Sequence, residues 1–256
     1  MYNTVYDSLI IAKKVIYLPS CHSTNDIAAE IVREGASQDG TVVITNNQTK
    51  GRGQRGTAWL VEPNQNLTFS IVLRPDFIPI QDQFLLSKAI AVGISSYLRY
   101  YSTDVKIKWP NDIYLKDRKI CGVSIENSIQ GSRISGSVVG IGLNINQNDF
   151  GDIRAVSLSV DRNRIFSLPE EFEKLVYHID AQYFKLRSVA GREFINSEYL
   201  NLLYGYRMVR SFRVNGEVLR GEITGVTSLG KLCIRFGKDT VPVEFANKEV
   251  EWVFDE

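Results

Sequence analysis

Histidine is scarce in this 256-residue chain: His22 and His178 are the only two. A histidine-rich metal site is therefore excluded. The three cysteines, Cys21, Cys121 and Cys233, show no C-x-x-C spacing. That excludes a disulfide framework and a zinc pattern, and makes a reducing cytoplasm the expected compartment. No apolar run is long enough to span a bilayer. The start, MYNTVYDSLIIAKKVIYL, lacks a charged region followed by a long apolar stretch, so no secretory signal is expected. A surplus of either charge is also missing. The 30 Lys and Arg against 29 Asp and Glu leave a net charge of +1, whereas dedicated nucleic-acid binders usually carry a strong basic excess. Internal repeats and low-complexity segments are absent too.

What is present reads as an ordinary globular chain, whose length suits one domain or one large domain plus one small one. Val15 to Leu18 reads as a strand. Ser23-Thr24-Asn25-Asp26 opens a helix with Ile27, Ala28, Ile31 and Val32 on one face and Gly35 as its stop. Thr41 to Thr45 is β-rich, and Leu67 to Leu73 alternates as a strand should, ended by Pro75. Helical periodicity covers Gln83 to Tyr101. Strands are predicted at 105–109, 113–115, 119–127 and 133–145, with a tight turn at Asp117-Arg118. A long helix is expected from Pro169 to Leu186, capped by Ser167 and Glu170, and a shorter one from Glu193 to Leu203. From Tyr206 onward the chain is short strand and turn. Asn215-Gly216 marks a hairpin, and Leu229-Gly230 and Phe236-Gly237 mark further turns. The pattern predicts a small β-barrel appended to an α+β body.

The stretch GRGQRG at 51–56 has the glycine register of a dinucleotide-binding fingerprint. A strand precedes it, but no helix follows: Pro63 interrupts the next residues and the next regular run is a strand. A Rossmann site is thus excluded by context, and a P-loop by the missing G-K-[ST]. What remains is a glycine loop carrying Lys50, Arg52 and Arg55, either a solvated hairpin tip or a cover that grips phosphate or carboxylate. Further along, KWPND at 108–112 joins a strand end to two short polar residues, and Lys119 precedes Cys121-Gly122. VVGIGLNIN at 138–146 places two glycines and Asn144 in an apolar strand. Glycines there can mark close approach of a ligand or another backbone.

STND at 23–26, QTKGRGQRGTAW at 48–59, KWPNDIYL at 108–115, RKICGVSIE at 118–126 and GIGLNIN at 140–146 occur in the order and approximate spacing of one family. Across nearly its whole length the chain resembles biotin protein ligase, also called biotin–[acetyl-CoA-carboxylase] ligase. Lipoate ligases share the fold without this form of KWPND. The resemblance implies an α+β fold: a mixed β-sheet catalytic domain with flanking helices, class II synthetase-like, over 1–205, and an SH3-like β-barrel over 206–256. It implies that biotin and ATP, with Mg2+, form biotinyl-5′-AMP and pyrophosphate. A lysine amine of a biotin carboxyl carrier protein domain then takes the biotinyl group and releases AMP.

By the same resemblance, Ser23, Thr24, Asn25, Gln48, Gly51, Arg52, Gly53, Gln54, Lys119 and Gly122 serve biotin. Arg52, Arg55, Trp59, Asn111, Asp112, Lys119 and Asn144 serve ATP. Lys119, Arg52 and Asp112 are the expected catalytic residues, with Lys119 bridging the biotin carboxylate and the α-phosphate and Asp112 a candidate to act through Mg2+. Plainer readings stand beside these: Ser23 to Asp26 as a capping box, Lys119 as solvated surface, Trp59 as a buried indole. Relatives often carry arginine at the position of Gln54 and a basic residue near Thr57. This loop is therefore expected to hold the intermediate less tightly. Since STND begins by residue 23, a ligase without an N-terminal DNA-binding domain is expected, acting as monomer or homodimer with no DNA or membrane partner. The alternatives are a lipoate or octanoate ligase or transferase, a nucleic-acid-binding module, and a non-catalytic biotin binder.

Overall fold

The computed structural model describes residues 2–5, 7–51, 59, 61–237 and 241–253. Its larger sheet contains β1 (Val15–Leu18), β2 (Thr41–Thr45), β3 (Leu67–Leu73), β4 (Val105–Lys108), β5 (Asp112–Leu115), β6 (Arg118–Gln130) and β7 (Arg133–Leu143). The spatial order is β1-β2-β3-β7-β6-β5-β4. β1 and β2 run parallel and the other pairs antiparallel, so the sheet is mixed, as expected.

Helix α1 (Thr24–Arg33) follows the capping signal: Ser23 Oγ accepts from the Asp26 amide at 3.4 Å, and Gly35 turns the chain at φ +70°. Its apolar face covers one side of the sheet, where Ala28 packs with Val43, Val72 and Val138. The opposite side carries α2 (Phe84–Leu98), α4 (Leu168–Lys185) and α5 (Val189–Leu202), with the short α3 (Leu158–Arg162) preceding α4. Phe69 meets Phe172 of α4 edge-on at 5.4 Å. β3 forms over the residues expected, and all seven of them are buried, because it lies between two strands and is covered on both faces.

Other boundaries differ for local reasons. Lys116 and Asp117 both have positive φ, 47° and 61°, and Leu115 pairs with Arg118. The two-residue turn is therefore Lys116-Asp117, one place before the expected one. Ser167 makes no side-chain capping bond on α4. α5 begins four residues before the expected Glu193, where Ser188 Oγ accepts from the Gly191 amide at 3.1 Å.

Two buried carboxylates organise the helical side. Asp180 of α4 accepts from the amides of Leu9, Ile10 and Ile11 at 2.5, 2.9 and 2.8 Å, pinning the segment before β1. Glu171 accepts from Tyr97 and Tyr101 hydroxyls at 2.6 and 2.5 Å and from Lys174 at 2.8 Å. Burial pushes the Glu171 carboxyl up, but the hydrogen bonds from Lys174, Tyr101 and Tyr97 outweigh it and hold the group below its ordinary value.

Toward the C-terminus a second, antiparallel sheet contains β8 (Val209–Val214), β9 (Glu217–Val226), β10 (Leu232–Phe236), β11 (Val243–Phe245) and β12 (Glu251–Val253), in the order β11-β10-β9-β8-β12, consistent with the small β domain expected. Asn215 and Gly216, at φ 49° and 87°, make the expected hairpin turn. This sheet is fastened to the body where Trp109 Nε1 donates to Gly230 O at 2.8 Å and the Phe84 amide to Ser228 O at 3.2 Å.

Candidate active site

Strand register builds the floor of the site. Ser70, Gly140 and Ser124 stand side by side across β3, β7 and β6. One pleat along, Thr68, Gly142, Gly122, Asp112 and Lys108 form a second row across five strands. Residues two apart share a face, so both rows look to the side of α1. They floor a cleft of about 1370 Å³. The start of α1 and Gln48 close one end, and Leu229–Lys231 and Ala246–Trp252 from the second sheet close the other side.

The uncharged end is set by the first turn of α1. Gln48 Oε1 accepts from the Thr24 amide at 2.8 Å. An amide N–H can only donate, so this contact fixes which side of Gln48 is oxygen and turns Nε2 toward Gly51. Ser70 Oγ lies 2.7 Å from Thr24 Oγ1 and 2.6 Å from Asn25 Oδ1, and Asn25 Nδ2 donates to Glu126 at 3.1 Å. Gly140 makes room for Asn25: a Cβ there would stand 2.3 Å from Asn25 Oδ1.

The charged end centres on Lys119, whose Nζ lies 2.7 Å from Asp112 Oδ1 and 5.4 Å from the centre of the Trp59 ring. Simple alternation from Gly122 would aim Lys119 at the opposite face. However, Ile113 faces Cys121 while Tyr114 faces Lys119, so Ile120 is an extra residue. This bulge reverses the alternation and brings Lys119 into the cleft. Lys108 stands on the other side of Asp112. Burial lowers the pKa of its ammonium, Asp112 opposes that shift and Lys119 adds to it. Trp59 lies flat on the glycines: a Cβ on Gly142 would come within 2.3 Å of its ring, and one on Gly122 within 3.2 Å. Trp59 Nε1 is buried with no hydrogen-bond partner among the described residues. Its amide donates to Gly51 O at 3.0 Å, tying together the two ends of the glycine segment.

The expected site residues thus divide. Ser23, Thr24, Asn25, Gln48, Trp59, Asn111, Asp112, Lys119 and Gly122 line one cleft. Asn111 Nδ2 is held by Val123 O at 2.7 Å. Asn144 is buried behind that wall, donating to Val156 O at 3.2 Å. Arg52, Gly53, Gln54 and Arg55 lie outside the described residues. Sequence reasoning passed over Ser70, Ser124, Glu126 and Lys108. Ser124 and Glu126 follow Gly122 at the two-residue period of a strand and were readable; Ser70 becomes relevant only through register. The glycines of β7 receive side chains, Asn25 and Trp59, where a ligand or another backbone was expected.

Among the described residues no group of three or more His, Cys, Asp or Glu could hold a metal ion. No helix there is long and apolar enough to cross a membrane.

The model of the biotin/lipoate A/B protein ligase family matches residues 17–144. The bifunctional ligase/repressor BirA of Bacillus subtilis is 34% identical over 147 residues, 56% of this chain but 44% of that protein. The chain thus spans less than half the length of this relative. The biotin–[acetyl-CoA-carboxylase] ligase of Mycobacterium tuberculosis is 28% identical over 232 residues, 86% of this chain and 83% of its own. Among solved structures, the biotin protein ligase of Aquifex aeolicus in complex with biotin and ATP is similar with a TM-score of 0.76 at 23% identity, covering 94% of this chain and all of that one. Its likeness extends the shared fold through the second sheet. With half of its length matched by the family model, and with the mixed sheet and helices already described, this chain belongs to the biotin/lipoate A/B protein ligase family.

Proposed function

We propose that the cleft joins biotin to ATP and then passes the biotinyl group to a lysine of a biotin carboxyl carrier protein domain. One observation carries the reading: a donor–acceptor pair, Gln48 and Thr24, stands at one end of a cleft whose other end holds Lys119, Asp112 and Lys108. A cyclic urea offers N–H donors and a carbonyl acceptor, which suits the first end, as the dithiolane of lipoate does not. The second end suits phosphates and a carboxylate.

In the first step a biotin carboxylate oxygen attacks the α-phosphorus, the bond from that phosphorus to the bridging oxygen breaks, and pyrophosphate leaves. Two anions must meet, and Lys119 is the cation between them. Its partner Asp112 holds it in place beforehand, and exchanging that carboxylate for the two reacting anions requires only a short movement of the ammonium. In the second step a neutral lysine amine attacks the acyl carbon, the bond to AMP oxygen breaks, and the amine loses a proton. No protein nucleophile is required. Trp59 offers the adenine a flat surface, Ser23 to Asn25, Gln48 and Gly51 shape the biotin end, Gly122 leaves room beside Trp59 and Lys119 for the biotin carboxylate, Asn111 flanks the phosphates, and Asn144 supports the wall from behind. Arg52 and Arg55, with Gly53 and Gln54, are assigned to the cover by resemblance. A Mg2+ arriving on the nucleotide needs few protein carboxylates; Asp112 fits as its one protein ligand, and the ion would neutralise phosphate charge. The two sheets support a ligase body over 1–205 and a β-domain over 206–256. The free thiols of Cys21, Cys121 and Cys233 support a cytoplasmic setting.

Incubating the protein with biotin, ATP, Mg2+ and a purified carrier domain should add one biotinyl group to the carrier, read by mass spectrometry. Failure with biotin together with modification by lipoate would reassign the substrate.

A further inference from the structure

The hydroxyl and amide groups at the uncharged end have a definite proton order. Asn25 Nδ2 faces the Glu126 carboxylate, which can only accept. That turns Asn25 Oδ1 toward Ser70, 2.6 Å away, so Ser70 must give its one proton there. Thr24 Oγ1 is 2.7 Å from Ser70 Oγ, and its second neighbour is Gln48 Oε1 at 3.3 Å, an acceptor already engaged by the Thr24 amide. Ser70 has no second proton, so Thr24 supplies the one between them. The Thr24 proton is therefore spent inside the network, and its oxygen faces the cleft with lone pairs alone.

From this we infer that Glu126 is a specificity-determining positioning residue: acting through Asn25 and Ser70, it makes the Thr24 hydroxyl an acceptor only, so the site selects a ligand that donates N–H at that point. Two features support the chain as built for this. The slot at Gly140 fits the Asn25 amide so closely that the side chain's main freedom is to turn over, exchanging O for N. Glu126 is the group in contact that decides between those two states, because a carboxylate accepts whichever oxygen it presents. With a donor in its place the amide would turn, Asn25 Nδ2 would donate to Ser70, Ser70 to Thr24, and the Thr24 proton would be released toward the ligand. Glu126 is exposed at the rim of the cleft, so it can be exchanged without opening the core.

The inference rests on reading this end as a ureido site. Its test uses the complete chain, biotin, and a biotin analogue with a ring oxygen in place of the ureido N–H, each titrated by calorimetry. Wild type should prefer biotin by on the order of 100-fold, the loss expected when a donor is replaced by an acceptor facing an acceptor. Glu126→Lys, which reverses the relay, and Ser70→Ala, which cuts it, should each shrink that ratio by about tenfold or more. An unchanged ratio in either variant would overturn the relay while leaving the ligase reading intact. Wild-type protein that binds no biotin would instead overturn the ligase reading and the relay with it.

Discussion

Gly142→Ala separates the two ends of the cleft. The new methyl group would lie 2.3 Å from Trp59 Cε2 and 2.5 Å from Cζ2 and Nε1. Ordinary contact begins at 3.4 Å, so the ring must withdraw by 3.4 − 2.3, about 1.1 Å, or tilt away. The backbone does not resist, since Gly142 sits in β7 with no positive φ; the strain is carried by the ring. The cost falls on whatever stacks against the indole. Base–aromatic stacking contributes about 1–3 kcal/mol, equivalent to about 5- to 150-fold in the KM for ATP. Biotin binding at the row of Ser70 and Gly140 should hold within about twofold, since a neighbouring site that keeps its contacts keeps its free energy. Pyrophosphate release gives the first quantity, calorimetry the second, and a shift in tryptophan emission reports the ring. Displaced emission with an unaltered KM for ATP would refute the role given to Trp59.

Lys119→Ala should lower adenylation by about 100- to 1000-fold, the loss typical of one preorganised cation or donor, while its melting temperature stays near wild type because its ion pair with Asp112 is partly exposed; pyrophosphate release at the wild-type rate would refute the assignment. Asp180→Ala leaves three amides without their acceptor and should cost about 2–4 kcal/mol, read as a lower denaturant midpoint. Glu171 makes the pH prediction. Its folded pKa lies below the ordinary value of 4.5, so its contribution is complete above that range and is lost as pH falls through the folded pKa. Glu171→Gln should therefore be less stable than wild type near neutrality, and thermal melts should show the gap narrowing as pH falls through the lowered folded pKa.

Much of the site was legible because its ingredients are local. Ser23 capping a helix puts Thr24 and Asn25 in its first turn, and a turn residue pair at Asn215-Gly216 needs no tertiary context. The burial of β3 on both faces was not legible, since Leu67 to Leu73 alternates in chemistry and only its neighbours decide that both sides are covered. The direction of Lys119 was hidden for the same kind of reason. Nothing in RKICG announces that Ile120 is the surplus residue; that depends on how β6 pairs with β5. Asn144 shows the reverse case, a polar residue in an apolar strand whose partner is Val156 O in the chain itself.

The bond from Trp109 to Gly230 has a consequence for the order in which the molecule is made. Every group on the floor of the cleft precedes residue 143, yet the facing wall comes from residues 229–252. A nascent chain with its larger sheet already folded carries Lys119, Asp112 and Trp59 on a surface that still lacks this wall. Only when the second sheet has been made and has closed against Trp109 is the cleft walled on both sides.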